Sequence, residues 1–284
     1  MILITGAGGK TGSTLIQALI RRGSELRALV RRPEQIAPTH ELGAQEVISG
    51  DMQDPASLQK ALLGVKSVYH ICPNLYLHEI SIGRSIIQAS RDAGVTHFVY
   101  HSVMHPHTEK MPHHWQKMRV EELLFESGLP FSILQPCVYM QNIRGYWEQI
   151  TTQGVYAVPY PPQTHISVVD LEDVAEAAAI VLTQAGHAGA IYELAGPQPI
   201  SQAEMAEILS QKLNRSVRAE QIPLDEWKRK ASATGLGHYA IETLYKMFGY
   251  YTQFGLTGNP HVLEWLLGRK ARTFDEFVAK FMIG

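Results

Sequence analysis

In the first half of the chain, short hydrophobic runs alternate with longer stretches in which apolar residues recur every three or four positions. The runs 2–5 (ILIT), 25–30 (ELRALV), 45–49 (QEVIS), 67–72 (SVYHIC), 97–102 (HFVYHS) and 131–136 (FSILQP) have the length and apolar character of buried strands. Helical patterns separate them. Residues 11–22 carry Leu15, Ile16, Leu19 and Ile20 on one side, and a short helix is expected over 34–42. The stretch 54–64 opens on Asp54 as N-cap, has Pro55 at the first helical position and ends on Gly64. Longer helices are expected over 80–93 and 112–124. Strands separated by helices of this length pair in parallel through right-handed crossovers, which predicts a doubly wound α/β sheet.

The pattern changes after Gln141 and Asn142. A proline-rich turn, a short strand and a helix capped by Asp170, with Asp173 in its first turn, precede a strand over 190–196. This aspartate pair reads as structural. Ser201 and Glu204 form a capping box for a helix running to about Leu213; a strand over 216–222 and three helices complete the chain. Tyr139, Met140, Trp147, Tyr245, Phe248, Tyr250, Tyr251 and Phe254 form an aromatic-rich set that would suit a pocket for flat substrates, although such residues at helical spacing commonly build a core.

One amphipathic stretch breaks the rule it otherwise follows. In PHHWQKMRVEELL, residues 112–124, His113, Lys117, Val120 and Leu124 share a face. A lysine on an apolar stripe either snorkels past the core or serves something that needs an ammonium group.

Composition narrows the classes. Among 284 residues, 45% are hydrophobic and 18% charged, with a formal net charge of -2, which describes an ordinary globular protein without the basic stripe of a nucleic-acid binder. No apolar run approaches the ~20 residues of a membrane span. The opening MILITGAGG reads as a first strand and not a signal peptide. Cys72 and Cys137 lie in apolar strand-like segments and read as free thiols, which with the absent leader points to a cytoplasmic protein. Five histidines crowd HSVMHPHTEKMPHH, but that loop is broken by prolines and has no metal-ligand signature, so no metal site is expected.

Candidate chemistry begins at TGAGGKTG, between the first strand and the first helix. Gly6, Gly9 and Gly12, with Gly8 added, permit a sharp turn, a close backbone approach to a pyrophosphate and tight helix–strand packing. Lys10 and Thr11 do not complete a P-loop, because no glycine lies five residues before Gly9. In this context the loop predicts a Rossmann-type dinucleotide site. At the end of the second strand, ALVRRPE puts Arg31 and Arg32 where NAD-binding proteins carry an acid, which favours NADP(H) over NAD(H) unless the two arginines are simply solvated. The expected organisation is a dinucleotide-binding domain over 1–150, with a returning segment at about 164–196, and a smaller substrate or partner lobe formed mainly by 151–284.

With TGAGGKTG, VRRPE, SGDMQDP, the order HSV…K…ILQP and the closing run GLTGNPHVLEWLLGRKARTFDEFV, the chain resembles the NmrA-like branch of the atypical short-chain dehydrogenases/reductases over nearly its whole length. That branch includes NADPH-dependent quinone and triarylmethane-dye reductases, and regulators that bind the dinucleotide without catalysis. The resemblance implies that Gly6, Gly8, Gly9, Lys10, Thr11 and Gly12 cradle the pyrophosphate and that Arg31 meets the 2′-phosphate. It places Asp51 and Met52 at the adenine edge, Pro73 beside the nicotinamide ribose, and Ser102 and Tyr139 within the site. Asp51 is also a natural turn residue, and Ser102 could cap a turn. The wider superfamily's Tyr-x-x-x-Lys is reduced here to Lys117, with His113 where the tyrosine would stand. Lys117 would anchor the nicotinamide ribose; His113 either donates the proton or marks the loss of chemistry. Three functions follow. One is a reductase passing hydride to a quinone or similar small aromatic acceptor, a second is an NADP(H) sensor acting through a protein partner, and a third is an isomerase or pathway protein working on a polycyclic aromatic, its cofactor serving only as structure. A homodimer is compatible with any of them.

Overall fold

The structure is a computed structural model that describes residues 1–282, and the chain divides into two units. The first comprises Met1–His107, His114–Gln135 and Val174–Tyr192; the second comprises Thr108–His113, Pro136–Asp173 and the chain from Glu193 onward. The division after Gln135 puts residues 136–150 in the second unit, whereas the sequence pattern assigns them to the first. The segment returning to the first unit is Val174–Tyr192, shorter than the expected 164–196.

In the first unit, β1 (Ile2–Ile4), α1 (Lys10–Ile20) and β2 (Leu26–Val30) form the opening crossover. A 3-10 turn at Pro33–Gln35 leads into α2 (Ile36–Glu41) and β3 (Glu46–Ser49), followed by α3 (Pro55–Leu62) and β4 (Ser67–His70). Then come α4 (Glu79–Asp92), β5 (His97–His101), α5 (Pro112–Phe125) and β6 (Phe131–Pro136). Asp54 caps α3 as its position predicts, its carboxylate accepting from Ala56 N and Ser57 N.

The second unit contributes β7 (Val138–Tyr139), a 3-10 stretch at Met140–Tyr146, α6 (Trp147–Gln153), β8 (Val155–Val158) and β9 (His165–Val169). The chain then enters α7 (Leu171–Thr183) and β10 (Ala190–Leu194). Next are β11 (Pro199–Ser201), α8 (Gln202–Leu213) and β12 (Arg218–Gln221), then α9 (Leu224–Ser232), α10 (His238–Phe254), α11 (His261–Leu267) and α12 (Phe274–Phe281). Among the described residues, four helices follow β12 where three were expected. Gly255, at φ 66, ends α10 and Gly268, also at φ 66, ends α11, and each left-handed residue stops a helix that apolar spacing alone would continue.

The seven-stranded sheet has the order β10-β6-β5-β4-β1-β2-β3. Its central pairs are parallel, Ile2 lying beside both Leu26 and Ser67. The chain proceeds outward from β1 through β2 and β3, then restarts on the other side at β4, so the winding reverses between β1 and β4. An open α/β sheet binds its ligands outside the carboxyl ends of the strands at such a reversal. Below that edge the core is continuous: Leu3, Val68, Phe98 and Ile133 from the sheet pack with Leu58, Leu62, Ile86, Val120 and Leu124 from the helices. Gly83 on α4 is required by this packing, because a Cβ there would lie 2.7 Å from Val120 Cγ1.

In the second unit β11, β9 and β7 form one small sheet and β12 pairs in parallel with β8. Members of the aromatic-rich set make several separate ring contacts there. Trp147 meets Phe281 edge-on at 4.7 Å, and Met140 lines a cleft with Phe274, whereas Phe248 packs with Trp227 at 4.9 Å and Tyr250 with Phe254 at 4.8 Å. Among the described residues, no helix is long and apolar enough to cross a membrane.

Candidate functional site

The loop between β1 and α1 is shaped by its glycines. Gly6 takes φ +60, and a Cβ on it would lie 3.0 Å from Ile71 O. At Gly12 a Cβ would stand 2.5 Å from Gly6 O and 2.6 Å from Ala7 Cα, contacts with backbone that cannot yield. Gly9 is the N-cap of α1; no side chain caps that end and no acid stands in its first turn. The helical ladder starts with Ser13 N donating to Gly9 O at 2.9 Å, so the N–H groups of Lys10, Thr11 and Gly12 precede it. Donors at the positive end of a helix, with no side chain competing for them, fit a pyrophosphate.

Arg31 is exposed, and among the described residues its guanidinium makes no hydrogen bond or ion pair, whereas Arg32 Nε lies 3.3 Å from Glu34. Gln35 is a residue the sequence did not single out. Its side chain crosses from the arginine turn to the glycine loop, Oε1 accepting from Arg32 N at 3.1 Å and Nε2 donating to Gly8 O at 3.4 Å. Asp51 is exposed and accepts from Gln53 N at 2.9 Å, the turn-forming contact that short acids favour, and Met52 beside it is half-buried. Pro73 follows the buried Cys72 beyond β4. The loops after β4 and β5 each hold a non-glycine residue in the left-handed region, Leu75 at φ 51 and His105 at φ 54, a backbone cost that binding loops often carry.

The inward face of α5 answers the puzzle of its lysine. Val120 and Leu124 are fully buried, His113 and Lys117 nearly so, and Glu121 joins them one turn after Lys117. Lys117 Nζ donates to Glu79 Oε1 at 2.9 Å and to His101 O at 3.2 Å, and lies 5.3 Å from the centroid of the Tyr100 ring. Tyr100 donates its hydroxyl to the same carboxylate oxygen at 2.9 Å. Burial, then Glu79, push the Tyr100 phenol well above its ordinary range; the same two causes, in the same order, raise the Cys72 thiol, so both stay protonated. Glu79 was also within reach of sequence reasoning. With Ile82, Gly83 and Ile86 it forms the buried stripe of α4, the same anomaly that marks Lys117.

Ser102, just beyond β5, is buried and donates its hydroxyl to Glu121, which also accepts from Gln135 Nε2 at 2.9 and 3.0 Å. Burial raises the Glu121 carboxyl, while Ser102 and Gln135 pull it back. Three buried imidazoles surround this region. Burial first, and for His70 and His101 then the Lys117 charge, depress them to about 3; His114 falls to about 4 through burial. They are neutral at physiological pH. His70 Nδ1 meets Thr5 Oγ1 at 3.0 Å, and Tyr69 OH meets His101 Nδ1 at 2.6 Å.

Twelve of the fourteen residues singled out from the sequence, Gly6, Gly8, Gly9, Lys10, Thr11, Gly12, Arg31, Asp51, Met52, Pro73, Ser102 and Lys117, belong to the first unit, whereas His113 and Tyr139 belong to the second. Within the second unit the aspartate pair is structural. Asp170 accepts from Glu172 N at 2.9 Å and from Gln141 Nε2 at 2.6 Å and pairs with Arg272, and Asp173 binds Arg269 Nη2 at 2.8 Å and Arg272 N at 2.6 Å. Among the described residues no group of three or more histidine, cysteine or acidic side chains is placed to hold a metal ion.

The model of the NmrA-like family matches residues 1–280. The NAD(P)H azoreductase of Xenophilus azovorans is 31% identical over 281 residues, covering 98% of this chain and 96% of its own. The NADPH complex of the quinone oxidoreductase QOR2 from Escherichia coli superposes with a TM-score of 0.88 at 26% identity, covering 99% of this chain and 100% of that one. The triphenylmethane reductase of a Citrobacter species, bound to NADP(H), gives 0.87 at 26% identity, with 99% of each chain covered.

Proposed function

Since this chain belongs to the NmrA-like family, we propose that it is an NAD(P)H-dependent oxidoreductase that favours NADPH and reduces a quinone or a similar conjugated aromatic acceptor. The observation that carries the reading is the glycine cradle at the winding reversal, with its uncapped α1 amides and the exposed Arg31 at the end of β2. Gly6, Gly8, Gly9 and Gly12 would admit the pyrophosphate, and the amides of Lys10, Thr11 and Gly12 would bind it. The Arg31 fork suits a 2′-phosphate, which an acid at that position would repel. Asp51 and Met52 would border the adenine, and Pro73 the nicotinamide half.

The nicotinamide, when bound, supplies the hydride. This chain's own task is then to bind, orient and exclude water. Lys117 would hold a ribose hydroxyl from the inward face of α5. His113 holds the sequence position of the superfamily's tyrosine and would be the proton donor in its stead. Ser102 points its own proton at Glu121 and therefore offers lone pairs rather than a proton to any neighbour. A reduced quinone can take its proton from water, so the chemistry does not demand a tyrosine at position 113. The reading of a sensor that signals dinucleotide occupancy to a protein partner is less favoured, because the similar proteins above are reductases by name.

The test is steady-state oxidation of NADPH, and of NADH in parallel, against a panel of quinones, azo dyes and triarylmethane dyes, with Lys117→Met as the control. Turnover that favours NADPH and falls in the variant is expected. Tight NADPH binding without turnover on any acceptor would overturn the reductase in favour of the sensor.

A further inference from the structure

We propose that Glu79 is a positioning residue that holds the Lys117 ammonium aimed for the cofactor, the two side chains acting as one unit. The inference rests on the NADP(H) reading above. Both partners are buried, Glu79 at 1% and Lys117 at 5% exposure, and their contact is 2.9 Å. A buried ion pair is poor value for stability, because desolvation offsets its attraction and a well-packed apolar pair does as well or better. A pair kept at the ligand-binding edge of an α/β sheet calls for another role.

The geometry supplies one. Glu79 opens α4, where the positive end of the helix favours a carboxylate. One of its oxygens accepts from both Lys117 Nζ and Tyr100 OH, which fixes the carboxylate in one orientation. The ammonium spends a second N–H on His101 O at 3.2 Å, and among the described residues its third N–H has no acceptor. An ammonium held by two of its three donors presents the last in a set direction, as an anchor for a ribose hydroxyl requires. The titratable groups that bear on the pair are Cys72, His70, His101, His114, Tyr100 and Glu121. The imidazoles are neutral, and the thiol and phenol keep their protons. Glu121, one turn further along α5, feels the Lys117 charge but is itself engaged by Ser102 and Gln135, so Glu79 is the carboxylate in direct contact with the ammonium. Removing Glu79 alone would leave the ammonium without the anion that fixes its direction.

The experiment measures NADPH affinity by cofactor fluorescence, together with thermal unfolding, for the wild type, Glu79→Gln, Lys117→Met and the double variant. Glu79→Gln should lose about tenfold in affinity at pH 7, the scale of one charged hydrogen bond. The double variant should regain the unfolding temperature lost by Glu79→Gln, because no unpaired charge is left buried, yet bind NADPH no better than Lys117→Met. Wild-type affinity in Glu79→Gln would overturn the positioning role and leave the cofactor reading intact; losses that add in the double variant would do the same. A wild type that does not bind NADPH would overturn both.

Discussion

At the scale of single residues, backbone proximity decides more than side-chain chemistry. Gly12 has an ordinary φ, so conformational freedom does not explain it; the constraint is space, since its Cα faces Gly6 O and Ala7 Cα too closely for any β-carbon. Gly12→Ala must push α1 away from the loop. The expected cost is about 1–3 kcal/mol, the range for overpacking against groups that cannot yield, with NADPH affinity falling further than stability because the loop amides move with the helix. Urea unfolding and fluorescence titration on the same sample separate the two effects, and an alanine variant that binds as tightly as wild type would show that the cradle is not where the phosphates sit. The position of Gly12 was readable from TGAGGKTG alone, but its reason was not. Spacing says only that glycine recurs, whereas the need comes from the approach of two backbone segments.

Among elements, the clearest case is the start of α7. Asp170 and Asp173 read as structural from sequence because they stand at an N-cap and in a first turn, and both are fully buried. Their partners, Arg269 and Arg272, lie about a hundred residues later in RKARTFDEF and carry no local signal that they belong to this cap. Arg272→Ala would strand the Asp170 carboxylate beside Gln141 and its own helix amides. The expected loss is roughly 3 kcal/mol, at the low end for breaking a buried pair because the guanidinium keeps some contact with water. Thermal unfolding reads it directly, and a fall of less than a degree would mean that the cap alone satisfies Asp170. The stripes of α4 and α5 teach the same lesson. Lys117 was visible as an anomaly on its own helix, and Glu79 was an equal anomaly on another; what local periodicity could not supply was that the two meet. Long apolar runs and capped helices are local signals and were legible. Two-residue β7, three-residue β11 and the glycine stops of α10 and α11 were not, because elements that short are made by their neighbours.

At the scale of the whole molecule, the buried imidazoles set the response to acid. His70 and His101 are held at about 3 and His114 at about 4, each chiefly by burial, while in the unfolded chain all three would titrate near 6.5. A group whose folded pKa is depressed binds its proton more readily when unfolded, so for a histidine the stability present above pH 6.5 is lost as pH falls below it and continues to fall until the folded values are reached. Three such groups give a slope of up to about 4 kcal/mol per pH unit, and a loss on the order of 5 kcal/mol between pH 7 and pH 5. The Glu121 carboxyl, raised by burial, works in the opposite direction: its penalty is relieved as pH falls from its folded value towards its unfolded one, which blunts the foot of the decline by at most one group's share. Urea midpoints taken at half-unit steps from pH 8 to pH 5 should be level above pH 7 and then descend. His114→Gln, which deletes one imidazole, should make the descent shallower by about one proton's share. A stability that stays flat to pH 5 would mean that these rings are already solvated or paired in acid. The core beneath the ligand edge would then be looser than its packing shows.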